Sequence, residues 1–188
     1  MSDSTERTLV VGINGSLRDG SFTRETVRSA LDGAAEVGAE TQLIDLVDYD
    51  LGFCDGRRDQ DTYPPDVHRL RREVREADGL ILGTPEYHGS LSGVLKNALD
   101  LMGFNEFEGK MIGVVGVAGG SAGAYNSLNT LRAIGRSLHA WVIPEQVSIG
   151  EVRRQFDREG NITDDRLREK VLDVGRQVAR FAYLHSSR

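Results

Sequence analysis

The stretch Thr8-Leu-Val-Val-Gly-Ile13 is a short apolar run rich in β-branched residues, and Asn14-Gly15 follows it directly. This pattern is typical of a buried strand that enters a loop. From Thr23 to Val37, apolar residues recur at three- and four-residue spacing, and Gly38 is placed to end the helix. The sequence therefore predicts a first unit of strand, loop and helix.

The same alternation continues to the end of the chain. Further strands are predicted at residues 41–46, 79–84, 111–118 and 141–149, and further helices at residues 66–76, 92–101, 124–138 and 164–184. The apolar runs in the strands are continuous, which indicates a parallel sheet covered by helices on both faces. We expect an α/β fold with a doubly wound five-stranded parallel sheet. Ligands bind such sheets at the carboxyl ends of the strands, so the loops after strands one, three and four should carry the function.

The composition suits one globular domain. The chain has 188 residues, of which 39% are hydrophobic and 28% are charged, as in ordinary soluble proteins. No run approaches the ~18 apolar residues of a membrane span, and residues 1–7 are polar, unlike a signal peptide. We expect a single domain over residues 1–188, with residues 1–7 as a flexible tail, in the cytoplasm.

Charge and cysteine content exclude several classes of function. The 29 acidic residues outnumber the 23 basic ones, and the net charge of −6 disfavours binding to nucleic acid or to a membrane. Cys54 is the only cysteine, and the four histidines lie far apart, so neither a disulfide nor a structural metal is expected. Cys54 is either a reactive thiol or incidental.

The first loop, residues 14–23, is rich in glycine and hydroxyl residues. Backbone N–H groups at a helix N-terminus bind phosphate, and here hydroxyls of Ser16, Ser21 and Thr23 and the charge of Arg18 accompany them. An ordinary turn in which Ser21 or Thr23 only caps the helix explains the pattern equally well. The two common nucleotide fingerprints, G-x-G-x-x-G and G-x-x-x-x-G-K-[ST], do not occur, which disfavours dinucleotide folds and nucleoside triphosphatases.

The second loop, residues 84–92, follows the third predicted strand directly. Since Pro85 lacks an N–H group and Gly89 permits close backbone approach, we expect the side chains between them to be displayed at the sheet edge. An aromatic ring beside exposed amides suits a planar heterocycle. The alternative is that Tyr87 packs on the next helix while His88 faces solvent.

The third loop is Gly116-Val-Ala-Gly-Gly-Ser-Ala-Gly-Ala124, which has no side chain larger than valine. Glycine loses the most conformational entropy on ordering, so this density of glycine indicates a backbone that leaves room for the edge of a ligand. A tight turn is the alternative, although it needs only one or two glycines.

Together the three loops resemble the NADPH-dependent FMN reductase family. The resemblance rests on Gly15-Ser-Leu-Arg-Asp-Gly-Ser21, on Pro85-Glu-Tyr-His-Gly-Ser90 with Gly93-Val-Leu-Lys-Asn-Ala-Leu-Asp100, and on Gly119-Gly-Ser121, and it extends from Thr8 to Ile149. It implies a flavodoxin-like fold, FMN as cofactor and NADPH or NADH as electron donor. The implied acceptor is a small molecule such as free flavin, a quinone, an azo compound or a metal oxyanion.

The resemblance also implies which residues hold FMN. The phosphate would lie at the first loop, the ribityl chain and isoalloxazine along residues 85–89, and the other side of the ring beside the third loop. The predicted cofactor-binding residues are Gly15, Ser16, Arg18, Ser21, Phe22, Thr23, Pro85, Glu86, Tyr87, His88, Gly89, Gly119, Gly120 and Ser121. Thr23 and His88 stand where the family more often has asparagine. No catalytic side chain is expected, because the cofactor supplies the redox chemistry.

Three further expectations concern partners. A non-enzymatic electron carrier of the flavodoxin type is the alternative to a reductase, although Arg18 and residues 85–89 favour the reductase. Family members are usually dimers or tetramers, so we expect a homodimer or homotetramer, with residues 94–104 as a candidate interface. Arg57 and Arg58 are candidates for binding the 2′-phosphate of NADPH, with ordinary surface arginines as the alternative.

Overall fold

The computed structural model of the protein describes residues 8–186 and contains a parallel sheet. Its strands are β1 (Leu9–Asn14), β2 (Glu40–Asp45), β3 (Gly79–Tyr87), β4 (Ser90–Leu91), β5 (Met111–Val117) and β6 (Trp141–Ile149). Five of them are parallel in the order β2-β1-β3-β5-β6, and the two-residue β4 pairs antiparallel with the end of β3. This strand order is that of a flavodoxin-like sheet, so the predicted doubly wound fold is confirmed.

Helices cover both faces of the sheet. They are α1 (Phe22–Glu36), α2 (Pro65–Glu76), α3 (Gly93–Asp100), α4 (Phe104–Phe107), α5 (Tyr125–Ser137) and α6 (Asp165–Ser186). Single 3-10 turns lie at Leu46–Asp48, Gln60–Thr62 and Val152–Arg154. Within residues 8–186, no helix is both long enough and apolar enough to cross a membrane. The flexible tail predicted at residues 1–7 lies outside the described residues.

Alternate residues of each strand point to opposite faces and build two separate cores. Val10 of β1 belongs to the core on the face covered by α1 and α6, whereas the next residue, Val11, belongs to the core on the face covered by α2, α3 and α5. Both valines are fully buried. Because both faces are covered, the strands read as continuous apolar runs, as the sequence predicted.

The predicted end of the third strand at residue 84, directly before Pro85, is wrong. β3 continues through Tyr87, and Pro85 pairs in register with Val117 of β5. The carbonyl of Gly83 accepts a hydrogen bond from Gly15, so Gly83 and, two residues later, Pro85 direct their backbone polar groups to the β1 side. β1 has already ended there, since Asn14 pairs with Gly83. The missing N–H of Pro85 therefore breaks no ladder hydrogen bond.

α1 and α6 pack with their backbones in direct contact. A Cβ added to Gly175 of α6 would lie 1.7 Å from the carbonyl oxygen of Ala30, and one added to Gly33 of α1 would lie 2.0 Å from that of Leu172. Arg176 of α6 joins the same contact through an ion pair with Glu36, at 2.7 Å. This contact sets the direction of α1, whose N-terminus lies at the carboxyl edge of the sheet.

We predict that Gly175→Ala destabilises the protein by about 3 kcal/mol, because a methyl group against backbone has no flexible side chain to displace. The measurement is urea unfolding followed by circular dichroism. Gly93→Ala is the control, since a Cβ at this first residue of α3 meets nothing within 4 Å; it should change stability by less than about 0.5 kcal/mol. Equal stability of the two variants would contradict the prediction.

Candidate functional site

A cavity of about 480 Å³ opens at the carboxyl ends of β1, β3 and β5. This volume is within the range of about 300–1,000 Å³ that is usual for small-molecule sites. The residues that line it are Ser16, Arg18, Asp19, Gly20, Ser21, Phe22, Thr23, Pro85, Glu86, Tyr87, Val117, Ala118, Gly119, Val152 and Arg153. The cavity therefore lies where the strand topology predicts a ligand site.

The cavity brings together much of the predicted cofactor-binding set. The predicted residues that line it are Ser16, Arg18, Ser21, Phe22, Thr23, Pro85, Glu86, Tyr87 and Gly119. The predicted residues outside its lining are Gly15, His88, Gly89, Gly120 and Ser121. His88 and Gly89 instead form the turn of the second loop, and backbone groups of Gly15 and Gly120 hydrogen-bond to neighbouring segments.

Buried Asn14 shapes the first loop. Its side-chain amide donates to the carbonyl of Ser16 at 3.0 Å and to the Asp45 carboxylate at 2.9 Å, and its oxygen accepts from the Ser16 N–H at 3.2 Å. Asp45 also pairs with Arg24 of α1. These bonds tie the loop to the ends of β1 and β2 and neutralise Arg24, which leaves Arg18 as the first loop's cation at the cavity.

The N-terminus of α1 faces the cavity. Ser21 caps the helix, because its hydroxyl oxygen accepts a hydrogen bond from the Arg24 N–H at 3.3 Å. The N–H groups of Phe22 and Thr23 have no hydrogen-bond acceptor within residues 8–186, and both residues line the cavity. Free N–H groups at the positive end of a helix dipole suit a phosphate. Ser21 thus has the capping role that the sequence left open, and its hydroxyl proton remains available to a ligand.

The second loop is a tight hairpin that the sequence analysis missed. His88 and Gly89 connect β3 to β4, with φ angles of +52° and +77°. Positive φ at both central residues defines a type I′ turn, which favours asparagine followed by glycine. The asparagine common in the family at this position therefore has a backbone explanation, and His88 is a strained replacement for it.

Tyr87 faces the first loop. Its ring lies under the Arg18 guanidinium, with 5.4 Å from that group's central carbon to the ring centroid. Tyr87 remains 39% exposed. This cation–π contact joins two walls of the cavity and leaves the open part of the ring accessible to a ligand.

Glu86 borders the cavity, but its carboxylate is directed to α5. One oxygen accepts hydrogen bonds from the Ser127 N–H at 3.0 Å and the Ser127 hydroxyl at 3.1 Å. Ser127 is the third residue of α5, so Glu86 satisfies that helix N-terminus. The side chain thus holds α5 against β3.

The third loop presents bare backbone to the cavity mouth. A Cβ on Gly119 or Gly120 would meet nothing within 4 Å, whereas one on Gly123 would lie 2.3 Å from the Ser148 hydroxyl. That hydroxyl accepts from the Ala124 N–H at 2.7 Å. Gly123 is therefore required for packing on β6, while Gly119 and Gly120 leave open space of the kind that the edge of a planar ligand needs.

A segment after β6, residues 150–162, forms a further wall that sequence reasoning missed. We call it the strap. The N–H groups of Glu151 and Val152 donate to the carbonyls of Gly120 and Ala118, at 3.0 and 3.1 Å. Farther along, the Phe156 ring packs on that of Phe22 in α1, with 5.1 Å between centroids. Since β6 is parallel to β5, its following loop belongs at the same edge, and that is the signal that could have found Val152 and Arg153.

The candidates on the long loop after β2 lie away from the cavity. Arg57 stacks on Tyr63 at 4.4 Å and forms several hydrogen bonds with Asp55, which hold the pKa of the Asp55 carboxyl well below its usual range. Neither Arg57 nor Arg58 lines the cavity. Cys54 is exposed, and its Sγ lies 3.3 Å from the carbonyl of Asp100. Arg57 thus stabilises its own loop, and Arg57, Arg58 and Cys54 are not among the residues that line the cavity.

Ser92 is the junction between the first and second loops. Its hydroxyl donates to the carbonyl of Gly15 at 2.6 Å and accepts from the Leu95 N–H at 3.1 Å, which caps α3. Its own N–H donates to the Thr84 hydroxyl oxygen at 3.0 Å. One buried side chain therefore connects the first loop, the end of β3 and α3.

Comparisons with known proteins agree with this architecture. A family model described as NADPH-dependent FMN reductase matches residues 8–154. An NAD(P)H-dependent FMN reductase of Pseudomonas aeruginosa is 34% identical over 184 residues, which cover 91% of each chain. An NADPH azoreductase of a Bacillus species is 35% identical and covers 83% of each chain. An NADPH:quinone oxidoreductase of Arabidopsis thaliana is 33% identical, covering 88% of this chain and 87% of its own.

Solved structures support the fold. The flavoenzyme NAD(P)H:(acceptor) oxidoreductase of Paracoccus denitrificans superimposes with a TM-score of 0.73 at 23% identity, covering 95% of this chain and 98% of its own. An archaeal flavodoxin gives a TM-score of 0.65 at 13% identity, covering 94% and 99%. At these identities the likeness shows the flavodoxin-like fold alone.

We predict that Ser92→Ala lowers the free energy of unfolding by about 1–3 kcal/mol, because it leaves the Gly15 carbonyl unpaired and removes the cap of α3. Urea unfolding measures the loss. Ser90→Ala is the control, since the Ser90 hydroxyl makes no hydrogen bond within residues 8–186. A loss no larger than that of the control would show that the junction contributes little.

We also predict that His88→Asn stabilises the protein by about 0.5 kcal/mol, because asparagine tolerates the left-handed backbone better than histidine does. Thermal unfolding is the measurement. His68→Asn, within α2, has no positive φ to relieve and should give no gain. A His88→Asn variant less stable than the parent would mean that the histidine ring makes contacts that outweigh the strain.

Proposed function

Because this chain belongs to the NADPH-dependent FMN reductase family, and is an oxidoreductase that uses FMN and a reduced nicotinamide nucleotide, we propose that it reduces a small acceptor within the cavity. The acceptor classes are free flavin, quinones, azo compounds and metal oxyanions. The observation that carries this proposal is the union, in one cavity, of the α1 N-terminus, Arg18 and the bare backbone of the third loop. The helix N-terminus and Arg18 suit the phosphate of FMN, and the bare backbone suits the edge of its isoalloxazine ring.

The phosphate of FMN is proposed to lie at the first loop. The free N–H groups of Phe22 and Thr23 form the positive end of α1, and the Ser16 hydroxyl and Arg18 supply further donors. The chain carries a net charge of −6, so the binding of an anion depends on these local groups. Asp19 also lines the cavity and opposes them in part.

The ring is proposed to lie between the second and third loops. Pro85 to Tyr87 form one side, and Gly119 leaves space on the other. When bound, FMN supplies the redox chemistry, by accepting a hydride from the nicotinamide and passing electrons to the acceptor. The residues of this chain bind and orient the reactants and exclude water from part of the cavity; none is required as a nucleophile.

The relatives favour the enzymatic interpretation over a flavodoxin-type carrier. The three relatives described above, each more than 30% identical, are named as reductases of FMN, azo compounds or quinones. The likeness to flavodoxin concerns the fold alone. For this chain, reduction of a small molecule is therefore the better-supported function.

We also propose that the chain acts as one domain, in the cytoplasm, as a homodimer or homotetramer. Phe104, at the end of the candidate interface 94–104, is 52% exposed. Leu17, in the first loop, is 51% exposed, and Tyr125, the first residue of α5, is 60% exposed. Large apolar and aromatic side chains that stay exposed are among the residues enriched where a second subunit docks.

The test is to load the purified protein with FMN and add NADPH or NADH without oxygen. The visible absorbance of the bound flavin should bleach within the time of mixing and return when a quinone or azo dye is added. Free FMN mixed with the same nucleotide is the control and should bleach far more slowly. A bound flavin that stays oxidised with both nucleotides would overturn the reductase proposal and favour the carrier.

A further inference from the structure

Arg153 is a cavity-lining cation without an acidic partner. It lies on the strap, and it forms no ion pair within residues 8–186. Its neighbour Arg154 does pair, with Glu151 at 2.9 Å, and does not line the cavity. Two adjacent arginines therefore differ in both respects, which makes Arg153 available to a ligand.

The path of the strap brings Arg153 towards the N-terminus of α1. At its start, the Val152 N–H is bonded to the carbonyl of Ala118, beside the third loop. Three residues after Arg153, Phe156 packs on Phe22, which is the first residue of α1. The strap thus crosses from the top of β5 to the helix end whose N–H groups face the cavity, and Arg153 lies between these two anchors.

The charges around the cavity leave a place for a second arginine. Arg24 is neutralised by Asp45, and the Arg18 guanidinium makes a cation–π contact with the Tyr87 ring. A phosphomonoester carries close to two negative charges and three acceptor oxygens, more than one helix end and one arginine saturate. Asp19 adds an opposing charge at the same cavity. A cation from the strap offsets that charge.

We propose that Arg153 binds the phosphate of FMN from the strap. This inference rests on the proposed placement of the phosphate at the N-terminus of α1. Arg153 then acts on cofactor retention, and it favours FMN over riboflavin, which has the same ring and ribityl chain but no phosphate. Because the strap also holds the third loop, phosphate binding and the geometry around the ring are linked through one segment.

The experiment compares FMN and riboflavin binding to flavin-free protein by the quenching of flavin fluorescence. Arg153→Ala should weaken FMN binding about 10-fold, as expected for the loss of a charge-assisted hydrogen bond at an exposed site, and should change riboflavin binding less than about twofold. Arg153→Lys should recover part of the loss. Arg154→Ala is the matched control and should bind both flavins like the parent. Raising the salt concentration should narrow the difference between Arg153→Ala and the parent.

Each contrary result has a distinct meaning. Equal weakening of FMN and riboflavin by Arg153→Ala would show a structural role in the strap and overturn the inference. Unchanged FMN binding by Arg153→Ala would overturn it as well. If that variant instead loses its preference for NADPH over NADH, Arg153 binds the nicotinamide nucleotide and not the FMN phosphate, which also overturns the inference. An equal loss of FMN binding in Arg154→Ala would show that any positive charge on this surface has the same effect, and it would overturn a specific role for Arg153. If the parent protein itself binds no FMN, the proposed function fails, and this outcome is separate from the others.

Discussion

The site depends on one interaction, the hydrogen bond from the Ser92 hydroxyl to the carbonyl of Gly15. It holds the carbonyl of Gly15 while the Gly15 N–H is bonded to Gly83, so both backbone groups of the first loop's entry are fixed against β3 and α3. A buried carbonyl without this partner would carry the full cost of desolvation. Through Thr84 the same serine also fixes the start of the second loop. Two walls of the cavity are therefore one hydrogen-bonded unit.

The cavity separates two kinds of recognition. Its first-loop end offers free N–H groups, hydroxyls and arginine in a chain of net negative charge, an arrangement that suits an anion. Its other end offers an aromatic side chain and backbone without side chains, which suits a flat surface and leaves space for a second reactant. Polar side chains that look reactive, such as Glu86, are used for architecture. This division fits a protein whose chemistry comes from its cofactor.

The sequence predicted the five parallel strands and their helices to within a few residues, because continuous apolar runs and helical periodicity depend on local burial. It failed where the outcome depends on neighbours. The strand continues past Pro85 because β1 ends first. The hairpin at His88 and Gly89 needs a positive φ at both residues, and histidine at the first position is not a residue that predicts one. The strap was missed because its polar residues carry no periodic signal, and only the pairing of β6 with β5 places them at the cavity.

The contact between α1 and α6 joins segments at the two ends of the described chain, as in the pair of Arg176 with Glu36, 140 residues apart. The strap lies just before α6 and is held between the third loop and α1. The first loop therefore leaves the ribosome long before its last wall exists, and the glycine face of α1 has no packing partner until α6 has been made. A cavity closed by such non-local contacts has all its walls only after the strap and α6 have packed on α1.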